Sequence, residues 1–213
     1  MRPPIIVVGG PRSGTTLTMR LLHKCGMQVG KLAAAHPLVE GPIRDQFYKP
    51  VLKRGGFDEL AQKNLPPPGW NPGMPAEIAF NSIVSLIGSE VDFDKPWGFK
   101  GVKGLLMWPL LYTAFPDANW VVVRRKRAEH VASLMRTSFM TAYSDKKGWN
   151  YYLDLIEEHI NSVLEGPAKT VEFWPAYVRD RESGYVGGVI SSTGVQWDER
   201  AMDVFDKKLY RKA

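Results

Sequence analysis

The fold is decided by residues 5–17, which read Ile5-Ile6-Val7-Val8-Gly9-Gly10-Pro11-Arg12-Ser13-Gly14-Thr15-Thr16-Leu17. The stretch opens with four β-branched residues, which predict a short buried strand. The run from Gly9 to Gly14 predicts a tight turn, and residues 15–23 predict the helix that follows it. The stretch is therefore expected to form a strand, a glycine-rich loop and a helix in succession.

The loop between this strand and helix has the features of an anion-binding site. Successive backbone N–H groups and the helix N-terminus converge there, and glycines let an oxyanion approach the backbone closely. Ser13, Thr15 and Thr16 add hydroxyl donors. The alternative is a turn without a ligand, but such a turn needs neither three hydroxyls nor an arginine at its apex. The loop is therefore predicted to hold a phosphate group.

The loop of this chain lacks the lysine of the Walker A phosphate loop. Gly9 and Gly14 have the Walker A spacing, but that motif continues with Lys and then Ser or Thr, whereas Thr15 and Thr16 follow here. Arg12 supplies a cation from inside the loop instead. Its fork of N–H donors suits a phosphate or a bridging oxygen.

Composition limits the class of protein. The 213 residues are 44% hydrophobic, which suits one globular domain spanning residues 1–213. The net charge of +6 favours an anionic ligand or an acidic partner. The single cysteine, Cys25, excludes an internal disulfide framework and a Cys-rich metal site. Because a strand is expected from residue 5 and no stretch approaches the roughly 18 apolar residues of a membrane span, a cytoplasmic protein is predicted.

Periodicity in the remaining chain predicts alternating helices and strands. Helices are expected over 40–54, 76–88, 105–115, 128–137, 149–164 and 195–206, and two further buried strands over 97–100 and 120–123. Irregular structure is expected over 27–39, over the Pro-rich residues 63–76 and in a Gly-rich connection over 186–192. The alternation predicts an α/β fold with a mostly parallel sheet and helices on both faces.

A second group of cations follows the strand over 120–123. It consists of Arg124, Arg125, Lys126 and Arg127, and the helix after it contains Ser133. Ligands of open α/β sheets bind beyond the carboxyl ends of the strands, so this cluster and the first loop are expected to face one site. Two anion sites at neighbouring strand ends imply a ligand with two separated anionic groups. The alternative is a solvated basic turn.

These residues resemble a PAPS-dependent sulfotransferase, in particular the compact members of bacteria and their viruses. The resemblance rests on residues 11–16, on Arg125 eight residues before Ser133, and on residues 97–100, 115–117 and 197–210. It implies a P-loop NTPase-like three-layer sandwich. It also implies the donor 3′-phosphoadenosine 5′-phosphosulfate (PAPS), whose 5′-phosphosulfate and 3′-phosphate would be the two anions.

The resemblance also implies roles for the residues of the first loop. Arg12 matches the cation that steadies the bridging oxygen during sulfuryl transfer. Gly14 lets the phosphate approach, and Thr15 and Thr16 match the hydroxyl pair at the helix start. Ser13 belongs to the same donor-binding set.

The second anion site is implied in the same way. Arg125 and Ser133 match the pair that holds the 3′-phosphate, although a one-residue shift in register would exchange Arg125 with Arg124. Arg125 is preferred because Glu129 and Ser133 then also fall in step with the family.

Catalytic residues are implied less completely. Lys100 matches a lysine placed near the transferring sulfonate, but two residues later, where many eukaryotic members have a histidine base, this chain has Val102. The attacking acceptor must lose a proton, so a positioned carboxylate or imidazole is expected. Glu40 is the first candidate and His36 a second. His130 and His159 lie within predicted helices and are interpreted as structural.

The predicted reaction is an in-line sulfuryl transfer, without a metal, to a hydroxyl or amine of a small molecule or glycan. Nucleic acid is not expected as a partner. The Pro-rich loop over 63–76 is interpreted as a flap over the acceptor. Two alternatives stay open: a P-loop kinase that uses ATP and a metal, and a catalytically silent nucleotide-binding protein.

Overall fold

The computed structural model describes residues 1–29, 32–33, 36–37, 41–167 and 169–204, with the backbone only at 32–33 and 36–37. A four-stranded sheet in the order β4-β1-β5-β6 lies at its centre, and β2 and β3 form a separate antiparallel pair. The strands are β1 Ile5–Gly9, β2 Leu32–Ala33, β3 His36–Pro37, β4 Gly98–Lys100, β5 Asn119–Val123 and β6 Thr170–Phe173.

The composition of the central strands explains the sheet. β1 and β5 are runs of mostly β-branched residues buried on both faces, as expected for the middle of a parallel sheet. Ile5 of β1 lies opposite Gly98 of β4 on one side and Asn119 of β5 on the other. Beyond β5, Val123 lies opposite Phe173 of β6. All three pairings are parallel, which confirms the predicted α/β class.

The helices fill most of the remaining described chain. They are α1 Thr15–Lys24, α2 Gly41–Ile43, α3 Lys49–Arg54, α4 Ala76–Ile87, α5 Trp108–Ala114, α6 Arg127–Met135, α7 Lys146–Leu164, α8 Ala176–Arg179 and α9 Ser183–Ser192. A π-helix, Arg44–Tyr48, joins α2 to α3, and 3₁₀-helices span Lys103–Met107 and Glu199–Val204. The helix expected over 40–54 is thus an α–π–α segment from residue 41.

The helices form two groups around the sheet. α1 packs on β1 and β4 and contacts the 3₁₀-helix Glu199–Val204, which also contacts α9. α6 packs on α7, which in turn contacts β5 and β6. Both groups pack against the central strands β1 and β5 or their neighbours, which is the layered arrangement of an α/β fold. This arrangement confirms the P-loop-like fold that the resemblance implies.

The C-terminal part contains one strand that was not predicted and one segment whose prediction is wrong. Residues 170–173 form β6, although the short, partly polar run Thr170-Val171-Glu172-Phe173 carries little strand signal alone. Residues 186–192 belong to α9, not to an irregular connection. Gly187 there contacts the Trp197 indole, since an added Cβ atom would lie 2.9 Å from its Nε1. Tertiary packing therefore overrides the low helix propensity of glycine.

The Pro-rich segment 63–76 is irregular, as expected, but it is fastened to the body of the protein. The His159 ring nitrogen Nε2 on α7 bonds to the Pro66 carbonyl oxygen at 3.0 Å. Trp70 packs edge-on against Phe57, with ring centroids 4.9 Å apart. The flap interpretation remains a prediction, and any movement would have to pivot outside these contacts.

Close packing of β4 against β1 leaves no room for a side chain at Gly98. A Cβ atom there would lie 2.3 Å from the Ile5 carbonyl oxygen and 2.9 Å from the Met27 sulfur. We expect Gly98→Ala to lower the free energy of unfolding, measured in urea, by about 1–3 kcal/mol, because the β1 backbone would have to shift. Gly188→Ala is the control: no described atom beyond its own helix lies within 4 Å of the added Cβ. A comparable loss in both variants would contradict the packing argument.

Candidate functional site

The ends of three neighbouring strands carry the predicted site residues. The order β4-β1-β5 and the parallel pairing bring the carboxyl ends of these strands side by side. Lys100 ends β4, Gly9 ends β1 and opens the loop, and Arg124 and Arg125 directly follow β5. The sheet therefore gathers residues that lie far apart in the sequence, at the edge where open α/β sheets bind ligands.

The phosphate loop, residues 9–16, has an unusual backbone conformation at two positions. Arg12 has φ 66° and Gly14 has φ 115°, both in the left-handed region. A turn bond from the Ser13 N–H to the Gly10 carbonyl, at 3.1 Å, closes the loop. Left-handed residues within such a turn orient successive N–H groups toward a common point, which suits an anion. Strain of this kind at a non-glycine residue is typical of functional sites.

Gly14 also has a packing role. An added Cβ atom at Gly14 would lie 2.6 Å from the Pro175 ring, which comes just before α8. Thr18 on α1 donates to the Gly14 carbonyl at 3.2 Å. The loop is thus held between α1 and the segment after β6.

The start of α1 faces the end of β4. Lys100 Nζ donates to Thr16 Oγ1 at 3.1 Å, and Lys100 is only 8% exposed. The first turn of α1 contains no acidic residue, so its partial positive charge is not neutralised locally. A buried ammonium group and a helix N-terminus therefore share one small region.

Arg12 and the second anion site are in direct contact. Arg12 Nε donates to Ser133 Oγ on α6 at 3.4 Å, and Arg125 donates from Nη1 to the Arg12 carbonyl oxygen at 3.0 Å. Glu129 lies 3.6 Å from Arg125 Nε and 3.1 Å from Arg179 Nη1 on α8. The loop, α6 and α8 are therefore joined by one polar network.

Positive charge is concentrated at this junction. Burial, and then the nearness of Arg125 and Arg136, hold the pKa of Arg12 below its ordinary value. Arg136, which the sequence analysis did not identify, caps the C-terminus of α6 three residues after Ser133. That spacing places both residues on one helix face and is the signal that would have identified it. The nearness of three guanidinium groups suits the binding of an anion, which stays a prediction.

The side chains of Arg124 and Arg125 contact different parts of the protein. Arg124 pairs with Glu157 on α7 and with Glu172 on β6, the latter at 3.0 Å. Its guanidinium also lies over the Trp174 ring, 5.6 Å from the centroid. Arg125 instead contacts the phosphate loop. These contacts favour Arg125 over Arg124 as the anion-binding residue, and its role as a ligand stays a prediction.

The donor set fits a bound oxyanion. The Ser13 hydroxyl is buried and, among the described residues, has no hydrogen-bond partner. A buried hydroxyl without a partner costs about 1–3 kcal/mol, so a phosphate oxygen within its reach would offset that cost. Ser13, Arg12, Lys100 and Arg125 can all donate hydrogen bonds, as an anion requires.

The predicted base cannot be placed in this arrangement. Glu40 lies outside the described residues, and for His36 only the backbone, in β3, is described. Val102 lies at the start of the 3₁₀-helix after β4. His130 and His159 are buried and bond to backbone carbonyls, as their interpretation as structural residues requires.

No group of three or more His, Cys, Asp and Glu side chains among the described residues is arranged to hold a metal ion. None of the helices within the described ranges is both long and apolar enough to cross a lipid bilayer.

Fold and loop together define an α/β protein of the P-loop type whose phosphate loop carries an arginine in place of the Walker lysine. The sulfotransferase family model matches residues 3–199, and the chain belongs to that family. The predicted enzyme class is thereby confirmed. No curated protein matches the sequence significantly.

Solved structures agree in fold. Sulfotransferase STF1 from Mycobacterium tuberculosis has a TM-score of 0.54 and 16% identity over 96% of this chain and 70% of its own. A sulfotransferase from Alicyclobacillus acidocaldarius has a TM-score of 0.57 and 17% identity, over 92% and 82% respectively. Retinol dehydratase, solved with androsterone and the inactive cofactor PAP, has a TM-score of 0.50 and 16% identity, over 95% and 63%.

The convergence of Arg12, Arg125 and Arg136 predicts stabilisation by simple divalent anions. We expect sulfate at ten times its dissociation constant to stabilise the protein by about 1.4 kcal/mol, which raises Tm by roughly 3–6 °C. Differential scanning fluorimetry at constant ionic strength, with chloride as the control, measures this shift. An equal shift with chloride, or an unchanged shift in Arg12→Gln, would contradict a specific anion site.

Proposed function

We propose that this protein transfers a sulfuryl group from PAPS to a hydroxyl or amine of an acceptor molecule. The observation that carries the proposal is the direct contact between Arg12 of the phosphate loop and Ser133 of α6, 3.4 Å apart. The contact brings together two predicted anion sites that are 121 residues apart in the sequence, as a nucleotide with two anionic groups would require. The presence of PAP in the retinol dehydratase structure of similar fold supports the choice of donor.

In this proposal the donor spans both sites. Its 5′-phosphosulfate lies on the phosphate loop, where Ser13, Gly14, Thr15 and Thr16 provide backbone and hydroxyl donors. Its 3′-phosphate lies between Arg125 and Ser133. Glu129 and the bond to the Arg12 carbonyl oxygen orient Arg125 toward the phosphate loop.

The chemical step is an in-line displacement at sulfur. The acceptor oxygen or nitrogen forms a bond to sulfur while the bond from sulfur to the bridging oxygen breaks, and that oxygen leaves with the electron pair. Arg12 and Lys100 would stabilise the charge that develops on the leaving phosphate and on the sulfuryl oxygens. Lys100 is suited to this role because Thr16 fixes its ammonium group beside the start of α1.

The depressed pKa of Arg12 supports the proposal energetically. Burial and the neighbouring cations Arg125 and Arg136 make the charged form of Arg12 less favourable before a ligand binds. A polyanionic donor relieves both effects, since it replaces lost hydration and screens the repulsion. More negative charge at the bridging oxygen in the transition state strengthens this interaction further, which is the condition for catalysis.

Proton removal from the acceptor is assigned to Glu40. The assignment rests on the sequence alone, with His36 as the second candidate, because Val102 occupies the position where many relatives have a histidine. The carboxylate would accept the acceptor proton as the bond to sulfur forms.

Loss of the loop arginine should remove transfer while leaving the fold intact. We expect Arg12→Gln to lower kcat for transfer of labelled sulfate from PAPS by about 10²- to 10³-fold, because a donor aimed at developing charge is lost. Arg200→Gln is the control, since Arg200 is an exposed arginine paired with Asp198.

The transfer assay and thermal unfolding together test the reaction class. Transfer should persist in the presence of a chelator. In thermal unfolding, PAP should stabilise the wild-type protein more than ATP does. Strict magnesium dependence together with phosphoryl transfer from ATP would replace the proposal with a kinase. Equal kcat in Arg12→Gln and Arg200→Gln would contradict the role of Arg12.

Substitution of Arg125 and substitution of Arg124 should have different effects on nucleotide affinity. Arg125→Met should weaken binding of PAP by about 10- to 150-fold, the loss of one charge-assisted hydrogen bond, and weaken binding of AMP less, because AMP lacks the 3′-phosphate and is affected only through the lost bond to the Arg12 carbonyl. Arg124→Met should instead destabilise the fold, since Glu157 and Glu172 lose their partner, with little change in the PAP/AMP ratio. Calorimetric titration of both nucleotides measures this. A reversed pattern would assign the 3′-phosphate to Arg124.

A further inference from the structure

His130 on α6 makes a contact that the transfer mechanism does not use. The side chain is buried, and its ring nitrogen Nε2 lies 2.7 Å from the carbonyl oxygen of Pro11 in the phosphate loop. The imidazole also packs against Gly10, where an added Cβ atom would lie 3.2 Å from its Cε1. One side chain therefore contacts two consecutive residues of the loop, and its partner is 119 residues away in sequence.

The chemistry of this contact fixes the state of the ring. A backbone carbonyl only accepts hydrogen bonds, so Nε2 carries the proton and donates. Burial, reinforced by Arg125, Arg127 and Arg12, lowers the pKa of His130 to about 4 although the bond to Pro11 acts in the opposite direction. The imidazole is therefore neutral at pH 7. It contributes a donor without adding a charge to a junction already crowded with arginines.

The carbonyl that His130 holds belongs to the peptide group that contains the Arg12 N–H. That group is planar and trans, so its C=O and N–H point in opposite directions. When the Pro11 oxygen is fixed toward α6, the Arg12 N–H is directed away from α6. Proline has no N–H of its own with which to anchor this part of the loop. The His130 bond therefore sets the direction of the first backbone donor after Pro11.

Two effects oppose this conformation when no anion is bound. Arg12 has φ 66°, which is unfavourable for a residue with a side chain. Its guanidinium is also close enough to Arg125 and Arg136 for their charges to lower its pKa. Arg125 holds the Arg12 carbonyl at 3.0 Å, and His130 holds the carbonyl just before it. Two consecutive carbonyls of the loop are thus fastened by residues that follow β5.

We propose that His130 is a positioning residue, which holds the Pro11–Arg12 peptide group in its anion-binding orientation before the donor arrives. It touches neither donor nor acceptor and acts through Arg12. The advantage is preorganisation: the loop does not have to reorient against like charges when it binds or during sulfuryl transfer. The expected effect of His130 on sulfuryl transfer rests on the proposed function. The expected effect of His130 on the conformation of the loop rests on the geometry of the loop alone.

A pair of substitutions of similar size isolates the hydrogen bond. His130→Gln keeps an N–H donor on a flexible side chain, whereas His130→Met has similar length and no donor. We expect His130→Met to weaken PAP binding and to lower kcat by about tenfold each, and His130→Gln to stay within about threefold of wild type. The KM for the acceptor should not change, because the acceptor does not contact the loop peptide. Calorimetry and steady-state kinetics provide these values.

His159 provides a matched control. It is also buried in a helix, its Nε2 also lies 3.0 Å from a proline carbonyl, that of Pro66, and burial also lowers its pKa to about 4. His159→Met should lose stability in urea to a degree similar to His130→Met, but it should keep wild-type affinity for PAP. Equal affinity losses in the two Met variants, or equal losses in His130→Gln and His130→Met, would overturn the inference.

A measurement on the nucleotide-free protein keeps this test independent of the proposed function. Amide hydrogen exchange at residues 12–16 should be faster in His130→Met than in wild type, and unchanged in His130→Gln and His159→Met. If the wild-type protein binds neither PAP nor PAPS, the proposed function fails, while the exchange rates still decide whether His130 holds the loop. Identical exchange in all four proteins would refute the positioning role.

Discussion

Repulsion among three guanidinium groups is the constraint around which this site is organised. Arg12, Arg125 and Arg136 are close enough for the last two to lower the pKa of the first. The start of α1 adds its partial positive charge at the same place, without an acidic residue in its first turn. Such an arrangement favours a polyanion strongly, and it also destabilises the ligand-free protein. The surrounding structure therefore has to hold the cations in place.

The hydrogen bonds and ion pairs that hold these cations come from elements that the order of the strands brings together. Ser133 and Glu129 on α6 reach Arg12 and Arg125, and Thr16 on α1 receives the hydrogen bond from Lys100 at the end of β4. Arg179 on α8 holds Glu129 from the other side. The contacts of Arg12 with Ser133 and of Lys100 with Thr16 require β1 to lie between β4 and β5, because each joins the segment after β1 to a residue at or beyond the end of a neighbouring strand. The order of the strands is thus a requirement of the site as well as of the core.

Sequence reasoning succeeded where the signal is local. The run of β-branched residues, the glycines of the loop and the helix after it lie within residues 5–17, and backbone preferences alone predict their conformation. β6 and α9 escaped prediction because their stability comes from neighbours: β6 pairs with β5, and Gly187 of α9 packs against Trp197. The bond between His130 and Pro11 spans 119 residues and has no sequence signature at all. A single histidine in a predicted helix is interpreted as a packing residue until its hydrogen-bond partner is known.

Arg124 and Arg125 show why spacing alone could not choose between two candidates. Consecutive side chains at a strand end project to opposite sides. The Arg124 N–H continues the ladder to the Phe173 carbonyl of β6 at 2.9 Å, and its side chain turns toward Glu157 and Glu172. The next residue therefore projects the other way, toward the phosphate loop. The pleat of the sheet thus directs Arg124 toward the carboxylates of α7 and β6 and Arg125 toward the phosphate loop, and because the two share a residue type, only the sheet distinguishes them.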